Sequence, residues 1–126
     1  MKVIDLPHTQ LQLTSEGIMK IRCKDDFHYE LEHVLELNQA QLEIANGKKF
    51  PTLTIIGKYT EASKEAMDFI FSKEATVSAL MDAFVVNSLA QKIMGNFYLK
   101  VKKPGIPTRL FTNENLAIEW LKMPNN

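Results

Sequence analysis

Phe50-Pro51-Thr52-Leu53-Thr54-Ile55-Ile56-Gly57 is the stretch on which the fold turns. Its apolar half, Leu53 to Ile56, is short, mostly β-branched and continuous, which suits a strand buried on both faces at the centre of a sheet. Pro51 is acceptable among the first residues of such a strand. Upstream, Phe27, Leu31, Val34, Leu35, Leu42 and Ala45 recur at helical spacing, with Asn38 on the same stripe. Glu30, Glu32, Glu36, Gln39 and Glu43 fill the other face, Asp25 or Asp26 is the expected cap, and Asn46-Gly47 the expected stop. Downstream, Lys58 to Ala62 reads as a loop, and a helix from about Ser63 to Lys73 buries Ala66, Met67, Ile70 and Phe71. A buried strand between two amphipathic helices is the middle of an α/β domain.

The pattern continues in both directions. Leu11 to Lys24 reads as a hairpin turning at Ser15-Glu16-Gly17, with Met19, Ile21 and Cys23 alternating against Lys20, Arg22 and Lys24. Val77 to Val86 contains a third strand at Ala83-Phe84-Val85-Val86, punctuated by Asn87 and Ser88. A helix from Leu89 to about Val101 carries Leu89, Ile93, Met94 and Phe97 on one stripe, and Lys103-Pro104-Gly105 breaks it. Thr108 to Phe111 is a short strand. Thr112 or Asn113 caps a last helix expected to bury Leu116, Ala117, Trp120 and Leu121. The predicted order is ββαβαβαβα: one α/β domain, a mixed sheet of four to five strands joined by crossover helices.

The 126 residues suit one domain, and 45% apolar with 24% charged residues is an ordinary globular balance. Fifteen basic against fifteen acidic residues leave no excess to draw the chain to nucleic acid or an anionic membrane. Cys23 is the one cysteine, so no internal disulfide forms, and a buried thiol is expected. Asp5 and Pro7 interrupt the first residues before any signal-peptide core, and no apolar run suffices for a membrane helix, so a cytoplasmic protein is expected.

Three local features resemble the STAS (anti-sigma-factor-antagonist) fold, and more closely small bacterial STAS-like or STAS/SEC14-like proteins. They are Ser63-Lys64-Glu65-Ala66 opening a helix after the central strand, Gly95-Asn96-Phe97-Tyr98-Leu99-Lys100, and Lys103-Pro104-Gly105-Ile106-Pro107-Thr108-Arg109-Leu110-Phe111 followed by Ala117-Ile118-Glu119-Trp120-Leu121. The resemblance implies a non-enzymatic regulatory or protein-interaction module with a protein partner, including a homodimer through an exposed apolar helix face. Its SEC14-like side implies a small carrier or sensor of an apolar or lipid-like ligand. STAS antagonists are phosphorylated on a Ser or Thr at the start of this helix. Ser63 is the corresponding residue here, although Ala62 and Lys64 stand where the family carries aspartate and glycine.

Ser63 also has a physical case, because a helix N-terminus favours a phosphate, while capping alone explains a serine there. Lys100, Lys102, Lys103 and Arg109 make a basic cluster beside Tyr98 and Phe97 that can hold an anion or simply complement the helix dipole. His28 and His33 are five apart, not at the four-residue spacing of a helical metal pair, so no metal is expected. Neither a GxSxG elbow nor a glycine-rich phosphate cradle is present, and no cofactor is expected. Met67 and Met94, with Phe71 and Phe97, can line an adaptable pocket or interface, or pack an ordinary core.

Overall fold

A computed structural model describes residues 2–123. The chain runs β1 (Lys2–Asp5), β2 (Thr9–Leu13), β3 (Met19–Cys23), β4 (His28–Tyr29), α1 (Leu31–Ala45), β5 (Phe50–Ile55), β6 (Glu61–Ala62), α2 (Lys64–Ile70), a 3₁₀ turn (Glu74–Thr76), β7 (Ala79–Val85), α3 (Leu89–Lys102), β8 (Thr108–Phe111) and α4 (Glu114–Lys122). Six strands form one mixed sheet in the order β1-β2-β3-β5-β7-β8, and β4 and β6 pair separately. The α/β class holds, but the main sheet has six strands rather than four to five. The sixth is β1, which pairs antiparallel with β2 at the edge. It is four residues long and largely exposed, too short to show a two-residue alternation.

The predicted hairpin is β2–β3, and Gly17 turns it at φ 79°, a conformation open to glycine without a Cβ penalty. From β3 onward all neighbours are parallel. The central segment is, as its composition implies, the inner strand β5, between β3 and β7.

Helix α1 begins later than its spacing implies. Asp25 and Asp26 do not cap it: the Asp25 carboxylate accepts from Lys58 N–H at 2.8 Å, and Asp26 has φ 54°. Glu30 is the cap, in a capping box where its N–H donates to His33 Nδ1 at 2.8 Å. Phe27 therefore lies outside the helix. The buried face is Val34, Ala40, Gln41, Ile44 and Ala45, with Leu31 and Leu35 exposed. Asn46 and Gly47 end the helix in left-handed conformations, as expected.

Each sheet face has its own cover. Leu53, Ile55, Met81, Ala83 and Val85 meet Ala117 and Leu121 of α4. Lys20 and Arg22 on that side pair with Glu114 at 3.4 and 3.6 Å. Leu116 is exposed, not buried as its place in the pattern suggests. On the other face Leu11, Met19 and Ile21 pack against Ala40, Ile44 and Ala45 of α1. The three parallel connections step the same way across the sheet, which stacks α1, α2 and α3 on this second face. Gly95 lets α3 lie close to β8, since a Cβ there would sit 2.8 Å from Leu110 Cδ1.

Candidate functional site: a cavity roofed by α1, α2 and α3

Helix α2 is only seven residues long. Its principal contacts are with α1 and α3 rather than with a strand. It bridges the two longer helices and stands off the sheet, and beneath it lies a half-open cavity of about 470 Å³. This is the size of a small-molecule site.

The floor follows from the parallel register. Ile21, Thr54, Phe84 and Leu110 are successive partners across β3, β5, β7 and β8, and all four line the cavity. Met67, Ile70 and Phe71 close it from α2 and its end, and Met94 and Tyr98 from α3. Phe71 stacks on Tyr98 with ring centres 5.9 Å apart. Met67, Met94 and Phe71 thus take the pocket-lining role that their spacing left open, whereas Phe97 points outward and is 57% exposed.

Polar groups make up the smaller part of this lining. Thr54 Oγ1 donates to Asp82 Oδ1 at 3.1 Å. Asp82 is half-buried and lines the cavity. Burial pushes its carboxyl up to about 7, and the Thr54 bond opposes this only in part. Gln41 is 5% exposed and lines the same space. Burial also raises the Cys23 thiol to about 11. At the mouth, Gln91 donates to the Gly57 and Thr60 carbonyls at 3.1 and 3.2 Å and accepts from Asn87 N–H at 2.7 Å, fixing the 57–60 loop to the start of α3.

Ser63 and the basic cluster singled out in the sequence lie outside this lining. Ser63 caps α2, its Oγ accepting from Ala66 N–H at 3.1 Å. Lys64 and Lys102 both reach Asp68, at 3.0 and 3.3 Å. Lys64, the first cause, and then Lys102 hold the Asp68 carboxyl below its usual range. Lys100 and Lys103 flank Lys102 at the end of α3. Arg109 instead lies over the Phe111 ring, 5.3 Å from its centre. Lys102 and Arg109 therefore spend their charge on different partners.

Two arrangements were not visible in the sequence. His8, Phe27, Tyr29 and His33 form a box of aromatic rings with centres 4.8–6.3 Å apart. Within it Glu36 Oε1, the His8 ring and Thr9 Oγ1 form a chain with steps of 2.8 and 2.7 Å. A carboxylate–imidazole–hydroxyl chain is the geometry of an activated nucleophile. Thr9, however, is buried, is 2.9 Å from the Tyr29 hydroxyl, and does not line the cavity. The chain ties β2 to α1. No group of three or more His, Cys, Asp or Glu among the described residues is placed to hold a metal, and no described helix is long and apolar enough to cross a membrane.

A family model described as "Domain of unknown function (DUF7793)" matches residues 11–124, which includes every element from β3 to α4. The chain belongs to that family. In this DUF7793 domain the matched segment contains the whole cavity. No curated protein matches the chain. Among solved structures, a protein with unknown function from Arthrobacter sp. FB24 is similar at 17% identity and a TM-score of 0.31, over 89% of this chain and 91% of that one.

Proposed function

We propose that this DUF7793 domain is a non-enzymatic binding module that takes a small apolar molecule into the cavity beneath α2. The single observation that carries the reading is the cavity itself. A space of about 470 Å³ floored by four strands and walled by Met67, Phe71, Phe84 and Met94 costs the fold many packing contacts. Folding alone does not call for such a void, and an apolar ligand would restore the missing contacts. Of the two expectations raised by the STAS-like resemblance, the carrier or sensor is the one this observation supports. On this reading the chain works in the cytoplasm, without a cofactor, and engages neither nucleic acid nor membrane. Native mass spectrometry of the protein purified gently from its own cells tests it. A releasable, non-covalent mass of small-molecule size supports the reading. A bare protein that also fails to take up 1-octanol contradicts it.

A second reading, the regulatory or protein-interaction module, is favoured by the outer face of α3. Leu89, Ile93, Phe97 and Val101 follow one another at four-residue intervals and are 57–72% exposed. Such a stripe is large for a lone surface and suits self-association as a homodimer, which a zero net charge does not oppose. Phosphorylation of Ser63 belongs to this second reading. It would place a dianion at the start of α2, next to Lys64.

A further inference from the structure

Asp82 has no evident reason to be where it is as a matter of folding. It lies on β7, an inner strand whose other positions are Ala79, Leu80, Met81, Ala83, Phe84 and Val85. An apolar residue would fill this place without the cost of desolvating a carboxyl. Among the described residues the carboxyl's only hydrogen bond comes from Thr54, through Oδ1, so Oδ2 remains to accept from something in the cavity. Gln41, 5% exposed on α1, offers a further donor and acceptor to the same space. An apolar cavity with a few convergent polar groups orients its ligand by the complementary polar end.

The sign of that end follows from the charges around the cavity. Lys64 lines the mouth, but its ammonium is held by Asp68 and its side chain is 76% exposed. Glu61 and Asp82 are the other charged residues of the lining, and both are acidic. A carboxylate or phosphate at the floor would meet Asp82 with no cation beside it. A donor-bearing, positively charged end would find an acceptor already oriented by Thr54.

We infer that the ligand is an apolar amine, its ammonium group held by Asp82 and Thr54 at the cavity floor and its hydrocarbon part against Phe84, Met67 and Met94. This rests on the reading of the cavity as a ligand site and adds the chemical class. The raised carboxyl of Asp82 gives the inference a proton signature. A bound ammonium holds the carboxylate ionised, so binding at pH 6 expels a proton that is already gone at pH 8. The other titratable groups facing the cavity are Cys23 on β3, Tyr29 on β4, Glu61 on β6, Lys64 on α2 and Tyr98 on α3. Burial keeps the first two protonated throughout this range.

The test is isothermal titration of the whole chain with 1-aminooctane, 1-octanol and octanoate. Each is run at pH 6 and pH 8, in buffers of different ionisation enthalpy. The expected result is that the amine binds about tenfold or more tightly than the alcohol at pH 8, as a charge-assisted hydrogen bond implies. Octanoate is expected to be weakest, and the amine to release close to one proton at pH 6. In Asp82→Asn the amine advantage falls to within about twofold while the alcohol is unchanged. If the alcohol binds as well as the amine and no proton is released, the amine assignment is overturned and the ligand site stands. If none of the three binds, the ligand site itself is lost. The ranking and the proton count are read on the unaltered protein, so they decide the matter even if Asp82→Asn does not fold.

Discussion

The Thr54 hydroxyl donates its hydrogen bond to Asp82 diagonally across two parallel strands: Thr54 is the register partner of Phe84, and Asp82 lies two residues earlier on the same face. Both side chains point into the cavity, so one pair sets the polarity of a floor that is otherwise Ile21, Phe84 and Leu110.

The raised carboxyl of Asp82 makes stability depend on pH with a definite sign. Its ordinary value is 3.8, and in the folded chain it is about 7. The folded state therefore holds the proton more tightly than the unfolded chain. The resulting stabilisation is full below about pH 4 and is lost as pH rises towards 7. Asp82→Asn carries no such loss. Its melting temperature, measured against the parent, should gain steadily between pH 4 and 7 and then stay level. The gain should be several degrees, with about 4 kcal/mol as the upper bound at roughly 1.4 kcal/mol per pH unit. A constant difference across this range contradicts a carboxyl held protonated towards neutral pH.

Tyr29 is the junction of three segments. Its hydroxyl donates to the His8 carbonyl at 2.5 Å, lies 2.9 Å from Thr9 Oγ1 and accepts from Lys24 N–H at 3.3 Å. Tyr29→Phe keeps the ring in its aromatic box and removes all three contacts. It should cost about 1–3 kcal/mol in chemical denaturation, because the hydroxyl's buried hydrogen bonds are lost, although the His8 carbonyl still accepts from Lys24 N–H at 3.0 Å. A change below ~0.5 kcal/mol would show that the hydroxyl is incidental.

Cys23 has a thiol raised to about 11 by burial, so little thiolate exists at neutral pH. Iodoacetamide at pH 8 should label the native chain far more slowly than the chain in urea. Equal rates would place the thiol in open solvent.

The outer face of α3 bears on self-association. If Leu89, Ile93, Phe97 and Val101 join two copies, Phe97→Lys should convert a dimer to a monomer in sedimentation equilibrium without lowering the melting temperature of the monomer. A parent chain that is monomeric at tens of micromolar removes the homodimer reading.

Much of the architecture was legible because it rests on local signals. Asn46-Gly47 could stop α1 and Gly17 could turn the hairpin whatever lay around them. Leu53 and Ile55 marked an inner strand by their composition alone. Spacing alone starts α1 too early, because Phe27 falls on the helical stripe but is held outside it by the aromatic box. The strands β1, β4 and β6 are two to four residues long, and no periodicity shows over such lengths. The cavity was hidden for a different reason. Met67, Phe71 and Met94 look the same in sequence whether they face a filled core or an open space. The difference lies in how far α2 stands from the sheet. Asp82, an acidic residue just ahead of the Ala83-Phe84-Val85-Val86 run, is the signal of the cavity that the sequence carries. The basic cluster drew attention because it is contiguous in sequence, yet Lys102 and Arg109 diverge towards Asp68 and Phe111.

The central claim is that the space beneath α2 takes up an apolar molecule. Equilibrium titration with N-phenyl-1-naphthylamine, whose emission rises on leaving water, tests it most directly when the parent is compared with Ala75→Trp and Ala90→Trp, which add an indole at two places in the cavity lining. The predicted result is saturable, one-to-one binding by the parent and at least tenfold weaker binding by both variants, with the folded far-ultraviolet spectrum retained. Binding that is absent in the parent, or equal in all three proteins, would contradict the account.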